Sequence, residues 1–220
     1  MIKNKVVLDF KIYPPEAQGM GQFDGGRITE IKPIGFPHEG PTMENLGPLF
    51  YWAWSSAKGY GKIALHPHQG FEIMSYALEG GIGHYDTLGN RSRVQAGEAQ
   101  VIQAGSGISH EEETVGDFNE FFQIWFDPDI QKTLRSEPTY NEYKSVDFPI
   151  EWQDGVTLKT LIGKDSPVVL ESEAKMKYIS IEKDRQFQYT LDHEKTLAVV
   201  VISGKDRLSP IPKSIERIII

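Results

Sequence analysis

The punctuation of this chain constrains its fold more than any other feature. Between residues 49 and 126, short runs of β-branched and aromatic residues are cut at close intervals by glycine and asparagine. Residues 49–54, 62–68, 71–78, 98–104 and 120–126 read as strands, and 79–81, 86–90 and 105–107 as turns. Strands this short and this close point to an all-β antiparallel barrel or jelly roll. Upstream, Gly19, Gly21, Gly25, Gly26, Pro33, Pro37 and Pro41 break any long helix.

The pattern changes after residue 126. Pro128, Pro138 and Pro149 fall among many charges, and IQKTLRSE is long enough for one or two helical turns. We place a connecting segment at 131–149, between a metal-binding barrel at 1–130 and a reduced C-terminal region at 150–220. That region holds three strand candidates, at 156–162, 177–181 and 196–202. About 70 residues is marginal for an independent barrel. The second half is therefore expected to be a reduced sheet packed on the first, or one completed by another chain, as in a homodimer.

Composition removes several function classes. The formal net charge is −8, and no run of five lysines or arginines occurs. Direct nucleic-acid binding, which depends on neutralising phosphates, is disfavoured. There are no cysteines, so disulfides, thiolate metal sites and a cysteine nucleophile are excluded. The opening MIKNKVVLDF lacks the apolar core of a signal peptide, and no apolar stretch is long enough to span a bilayer. The expected location is cytoplasmic, with no membrane partner.

The chemistry lies in the histidines. His66-Pro67-His68 sits in a strand candidate, where side chains two apart share a face. His110-Glu111-Glu112 repeats that spacing on a later segment. If the segments are neighbours, three imidazoles and one carboxylate meet inside the barrel. Such a set suits iron, manganese, cobalt, nickel, copper or zinc and leaves coordination positions open. Glu111-Glu112-Glu113 alone would read as a solvated acidic run, so only its position beside His110 singles out Glu112. Glu72 is a rival ligand, on the histidines' face if the strand is unbroken, although Gly70 could spoil that parity. Its bland reading is a hydrogen-bond partner that orients a histidine.

Other features have plainer readings. His84 reads as a packing or hydrogen-bonding histidine, while His38 and His193 carry no role. Gly105-Ser106-Gly107 faintly matches a phosphate loop, but no lysine follows and three glutamates do, so a tight turn fits better. Phe71, Met74, Tyr76, Phe121, Phe122, Gln123 and Trp125 could line a pocket, and aromatics on strands are more often plain core.

HPHQGFEIMSYALEGGIGHYDTLGN, followed by AGEAQVIQAGSGISHEEE and QIWFDPDIQKTLRSEPTY, resembles the pirin family of cupins from about Leu49 to Tyr140. The resemblance implies a bicupin-like fold, two barrels face to face with metal in the first. It implies His66, His68, His110 and Glu112 as ligands, favouring Glu112 over Glu72, with iron(II) as the first candidate. Gln69 stands where the family usually has arginine after HPH, and Val101-Ile102-Gln103 where it usually has Trp-Met-Thr. These departures touch the pocket and not the ligands. The chain matches the family's second barrel poorly.

Two functions follow from the resemblance. One is a quercetin 2,3-dioxygenase-like activity on a small aromatic substrate and dioxygen, with Glu112 as general base. The other is a non-catalytic regulator that acts through a protein partner.

Overall fold

The computed structural model describes residues 11–41, 43–191 and 195–204, and the backbone of 217–219. Among the described residues the chain is mostly β, with all strand pairings antiparallel. Its elements run β1 (Gly19–Phe23), β2 (Ile28–Ile34), β3 (Leu49–Lys58), β4 (Lys62–His68), β5 (Glu72–Glu79), β6 (Gly81–Asp86), β7 (Arg91–Gln95), β8 (Ala99–Gln103), β9 (Ile108–Thr114) and β10 (Phe118–Phe126). There follow α1 (Ile130–Thr133), β11 (Thr139–Tyr143), β12 (Ile150–Gln153), β13 (Val156–Ile162), β14 (Met176–Ile181), β15 (Val200–Ser203) and β16 (Arg217–Ile219).

These strands form three sheets. The first is seven-stranded, in the order β1-β2-β3-β10-β5-β8-β11. The second is four-stranded, β4-β9-β6-β7, and the third five-stranded, β12-β13-β14-β16-β15. The segment 131–149 holds part of α1 and the whole of β11, which pairs with β8 at the edge of the seven-stranded sheet. From there the chain passes into the five-stranded sheet. Most of the C-terminal stretch RLSPIPKSIERIII lies outside the described residues.

Period-two alternation sorts the side chains of the seven-stranded sheet. Trp52, Met74, Tyr76, Ala99, Val101, Phe122, Ile124 and Phe126 pack with Leu161, Ile162 and Met176 of the five-stranded sheet in one apolar core. Their neighbours Ser55, Ser75, Gln100 and Gln123 are equally buried but polar, on the opposite face. That face looks toward the four-stranded sheet and forms the barrel interior.

The chain moves between the two barrel sheets at residues 69–71. Gly70 adopts a φ of 87°, and a Cβ there would meet Ile130 Cγ1 at 2.9 Å. Backbone conformation and space both require glycine at this corner. Thr133 of α1 fastens it by donating a 2.6 Å hydrogen bond to the Gly70 carbonyl.

Candidate metal centre

Three strands of the four-stranded sheet carry the histidines of the barrel interior and their acidic neighbours. β4 supplies His66 and His68, β9 supplies His110 and Glu112, and β6 supplies His84 and Asp86. In register, His66 lies opposite His110. On the other side of β9, Asp86 lies opposite His110 and His84 opposite Glu112.

A bulge aims the β4 histidines. Ile63 pairs with Glu112 and is buried, and the register then shifts before His66. Ala64 and Leu65, at the shift, are both exposed. The extra residue flips every later side chain to the other face. Without it, Leu65 and Pro67 would point inward and the histidines outward.

The ligand atoms of His66, His68 and His110 all lie within 4.8 Å of one another. His66 Nδ1–H donates to the Ala64 carbonyl at 2.8 Å, which leaves its Nε2 lone pair free. His68 Nε2 and His110 Nε2 are 3.0 Å apart. Two imidazole nitrogens about 2.1 Å from one ion and at right angles to each other would be about 3.0 Å apart. Burial pushes His68 down to about 3 and His110 down to about 2. Both rings are therefore neutral near pH 7, the state a metal ligand needs. Donor set, protonation and the His68–His110 spacing suit a divalent transition metal.

Glu112 is 2% exposed and sits further along β9. Ser75 Oγ–H and Gln100 Nε2–H donate to its Oε1 at 3.2 and 2.7 Å, and Gln123 Nε2–H donates to Oε2 at 2.7 Å. Burial pushes its carboxyl up to about 7, against the pull of these three bonds. Glu112 is not one of the group of three that lies within 4.8 Å. Its Oε2, with a single contact, faces the interior with acceptor capacity to spare.

An aromatic wall stands beside His68. Trp125 stacks on Tyr51 at 4.3 Å and on Phe71 at 5.0 Å between ring centroids. His68 meets the rings of Trp125 and Phe71 edge-on, each at 5.2 Å. Trp125 Nε1–H donates to Gln123 Oε1 at 3.1 Å, so the wall is hydrogen-bonded through Gln123 to Glu112. Outside lies an open cleft of about 500 Å³, lined by His68, Gln69, Phe71, Thr87, Ile108 and Ser109.

The pocket candidates divide by strand parity. Phe71, Gln123 and Trp125 are at the site. Met74, Tyr76 and Phe122 belong to the core between sheets, and Phe121 packs with Ala77, Ile82 and Val94.

Glu72 lies away from the histidines. Its strand belongs to the other barrel sheet, because the corner at Gly70 breaks the parity with His66 and His68. Its carboxylate instead accepts from Gln103 Nε2 at 2.9 Å and from the backbone N–H groups of Glu171 and Ser172 at 2.7 and 3.0 Å.

His84 is buried and hydrogen-bonded, with its Nε2 2.9 Å from Asp86 Oδ2 and its ring stacked on Tyr140 at 4.0 Å. His38 stacks on Phe36 and is exposed, and His193 lies outside the described residues. Sequence reading passed over Asp86, Ser75 and Gln100. For Asp86 a signal existed, since His84-Tyr85-Asp86 repeats the two-residue spacing of the other pairs. Nothing comparable marks Ser75 or Gln100.

Comparison with known proteins agrees with this architecture. The family model described as Pirin matches residues 53–126. Pirin-1 of Arabidopsis thaliana is 33% identical over 92% of this chain and 68% of its own. A putative quercetin 2,3-dioxygenase of Pseudomonas aeruginosa is 31% identical over 74% of this chain and 70% of its own. The crystal structure of the bacterial pirin YhhW from Escherichia coli in complex with nickel(II) superposes with a TM-score of 0.66. It is 20% identical and covers 93% of this chain and 86% of that one.

Proposed function

The chain belongs to the pirin family, and from that premise we propose that it is a metal-dependent dioxygenase of the quercetin 2,3-dioxygenase type. Its metal, iron(II) in the first instance, is held by His66, His68, His110 and Glu112, and its substrate is a flavonol-like planar aromatic. The observation that carries this reading is the meeting of three convergent imidazoles with an aromatic wall and an open cleft.

When bound, a divalent metal supplies Lewis-acid polarisation of a substrate oxygen. The chain's own groups do the rest. Phe71 lines the cleft and is backed by the stacked Trp125, and its ring orients a planar substrate by aromatic contact. Glu112 receives the substrate hydroxyl proton at Oε2, the carboxylate oxygen with one contact. Ser75, Gln100 and Gln123 hold that carboxylate in one position, so no reorganisation accompanies the transfer. The small aromatic substrate and dioxygen are the only partners this chemistry requires.

The test begins with metal content after purification without added metal. Iron(II) or nickel(II) is then supplied and flavonol absorbance followed in air. Metal-dependent loss of colour is expected, with turnover falling about 100-fold or more in Glu112→Gln and metal lost in His110→Ala. Full metal occupancy with no turnover on any flavonol would overturn the dioxygenase reading. It would leave the metal-binding regulator that acts through a protein partner.

A further inference from the structure

Behind the aromatic wall lies a buried ionic cluster that the metal chemistry does not use. Lys32 and Glu30, both on β2, are each 3% exposed, and Lys32 Nζ lies 3.2 Å from Glu30 Oε2. Lys32 Nζ also donates to Oε1 of a second carboxylate, Glu39, on the turn after β2. Space for that carboxylate depends on Gly35, where a Cβ would meet Glu39 Oε2 at 2.9 Å. Taking such charges out of water is expensive, and apolar residues of similar volume often stabilise a fold as well or better. Stability alone does not account for the cluster.

Each carboxylate holds one ring beside Trp125. Glu30 Oε2 accepts from the Tyr51 hydroxyl at 3.1 Å, and Glu39 Oε2 accepts from the Phe36 backbone N–H at 3.0 Å. Lys32 ties the two carboxylates together, with its Nζ 5.1 Å from the centre of the Tyr51 ring. Both held rings converge on Trp125. Tyr51 stacks on it at 4.3 Å with the planes 24° apart, and Phe36 meets it edge-on at 6.0 Å. Trp125 in turn stacks on Phe71 at 5.0 Å, and Phe71 lines the cleft. Stacked rings can slide over one another at little cost, whereas a hydrogen bond has a narrow range of length and angle. A hydroxyl bonded to a fixed carboxylate stops the slide.

We propose that Lys32, Glu30 and Tyr51 are positioning residues for the substrate-facing ring of Phe71. The ion pair fixes the Tyr51 hydroxyl, and the Tyr51–Trp125–Phe71 stack carries that position to the cleft. This rests on the reading of the cleft as a site for a planar aromatic. It extends that site to residues of β2 and β3 that belong neither to the metal ligands nor to the cleft lining.

Tyr51→Phe removes the hydroxyl and keeps the ring. Ser55→Ala is its matched control, because Ser55 Oγ–H donates to the other oxygen of the same carboxylate at 3.0 Å and Ser55 is no part of the stack. Both variants cost Glu30 one buried hydrogen bond. A purely structural cluster therefore predicts the same consequences in both.

Two measurements separate them. The first is the Trp125 indole N–H resonance in nitrogen-15-labelled, metal-free protein, identified by its loss in Trp125→Phe. That N–H donates to Gln123 Oε1, so it reports the seat of the ring. In Tyr51→Phe it should shift and exchange about fivefold faster or more, and in Ser55→Ala it should stay as in the wild type. The second is the affinity of nickel(II)-loaded protein for 3-hydroxyflavone, read anaerobically by quenching of the flavone's fluorescence. It should fall about 3- to 10-fold in Tyr51→Phe and stay within about twofold in Ser55→Ala, with nickel(II) affinity near wild type in both. Equal effects in the two variants, or none in Tyr51→Phe, would overturn the proposal. Binding of the flavone without turnover in air would sink the dioxygenase reading alone. No binding by the wild type would sink the proposed substrate class, and the indole resonance would still decide whether the cluster sets the wall.

Discussion

On β5, Met74 and Tyr76 face the five-stranded sheet, while Ser75 between them faces the barrel interior and donates to Glu112. On β10, Phe122 and Ile124 face the same way as Met74, and Gln123 faces the same way as Ser75. β8 repeats the arrangement with Ala99, Gln100 and Val101. One face of the sheet is an apolar layer shared with the second half of the chain, and the other carries a hydrogen-bonded polar lining around Glu112, flanked by smaller apolar clusters at Ile73 and Ile102 and at Ala77 and Phe121. The apolar face gains hydrophobic free energy roughly in proportion to area buried. The lining gains little net from its hydrogen bonds, which replace bonds to water. Stability and chemistry are thereby assigned to alternate residues of the same strands, so either can be altered by single substitutions.

The largest effect should come from the apolar face. Phe122 has no exposed surface and packs edge-on against Trp52 at 5.6 Å between centroids. Phe122→Ala is expected to cost about 3–5 kcal/mol, by loss of transfer free energy and creation of a cavity. Urea unfolding measures it as a lower midpoint at unchanged slope. Nickel(II) affinity of the folded protein should stay near wild type. A stability loss below about 1 kcal/mol, or a parallel collapse of metal affinity, would break the division between the faces.

Metal should add stability through the other face. Nickel(II) held free at about 100 times its dissociation constant stabilises a folded state that alone binds it by about 2.7 kcal/mol. That increment should survive Phe122→Ala and vanish in His110→Ala. An equal increment in His110→Ala would mean the ion sits elsewhere.

The sequence carried some of this organisation plainly. The strand at 62–68 is present with those bounds, and the two-residue spacing of His66 with His68 and of His110 with Glu112 is a true shared-face signal. The strand at 49–54 continues to Lys58, because Ser55 and Ser56 do not interrupt a strand whose inner face is polar. β1 was hidden by its glycines. A Cβ at Gly21 would meet Lys32 Nζ at 2.8 Å and Glu30 Oε2 at 2.9 Å, so glycine there makes room for a buried ion pair. β2 was hidden by Pro33, which falls where its register with β3 shifts. Alternation says which residues share a face, but not which face meets the metal. Phe71 and Trp125 therefore could not be told from Tyr76 and Phe122. The bulge at Ala64 and Leu65, which turns the histidines inward, leaves no mark in residue type.

Two buried glutamates show the same division at its finest scale. Glu112, on the four-stranded sheet, is held by three neutral side chains. Glu72, at 1% exposure on the outer side of the seven-stranded sheet, is held by Gln103 and by two backbone N–H groups from residues 171 and 172. By spacing Glu72 is a rival ligand in the sequence, yet it ties the second half of the chain to the first. In Glu72→Gln one carboxylate oxygen becomes an N–H donor that meets a backbone donor. A stability loss of about 1–2 kcal/mol is expected as charge-assisted bonds weaken. Hydrogen exchange should quicken at the Glu171 and Ser172 amides, and the nickel(II) increment should be unchanged. Loss of that increment in Glu72→Gln would return Glu72 to the metal, and the two faces could no longer be treated as separate.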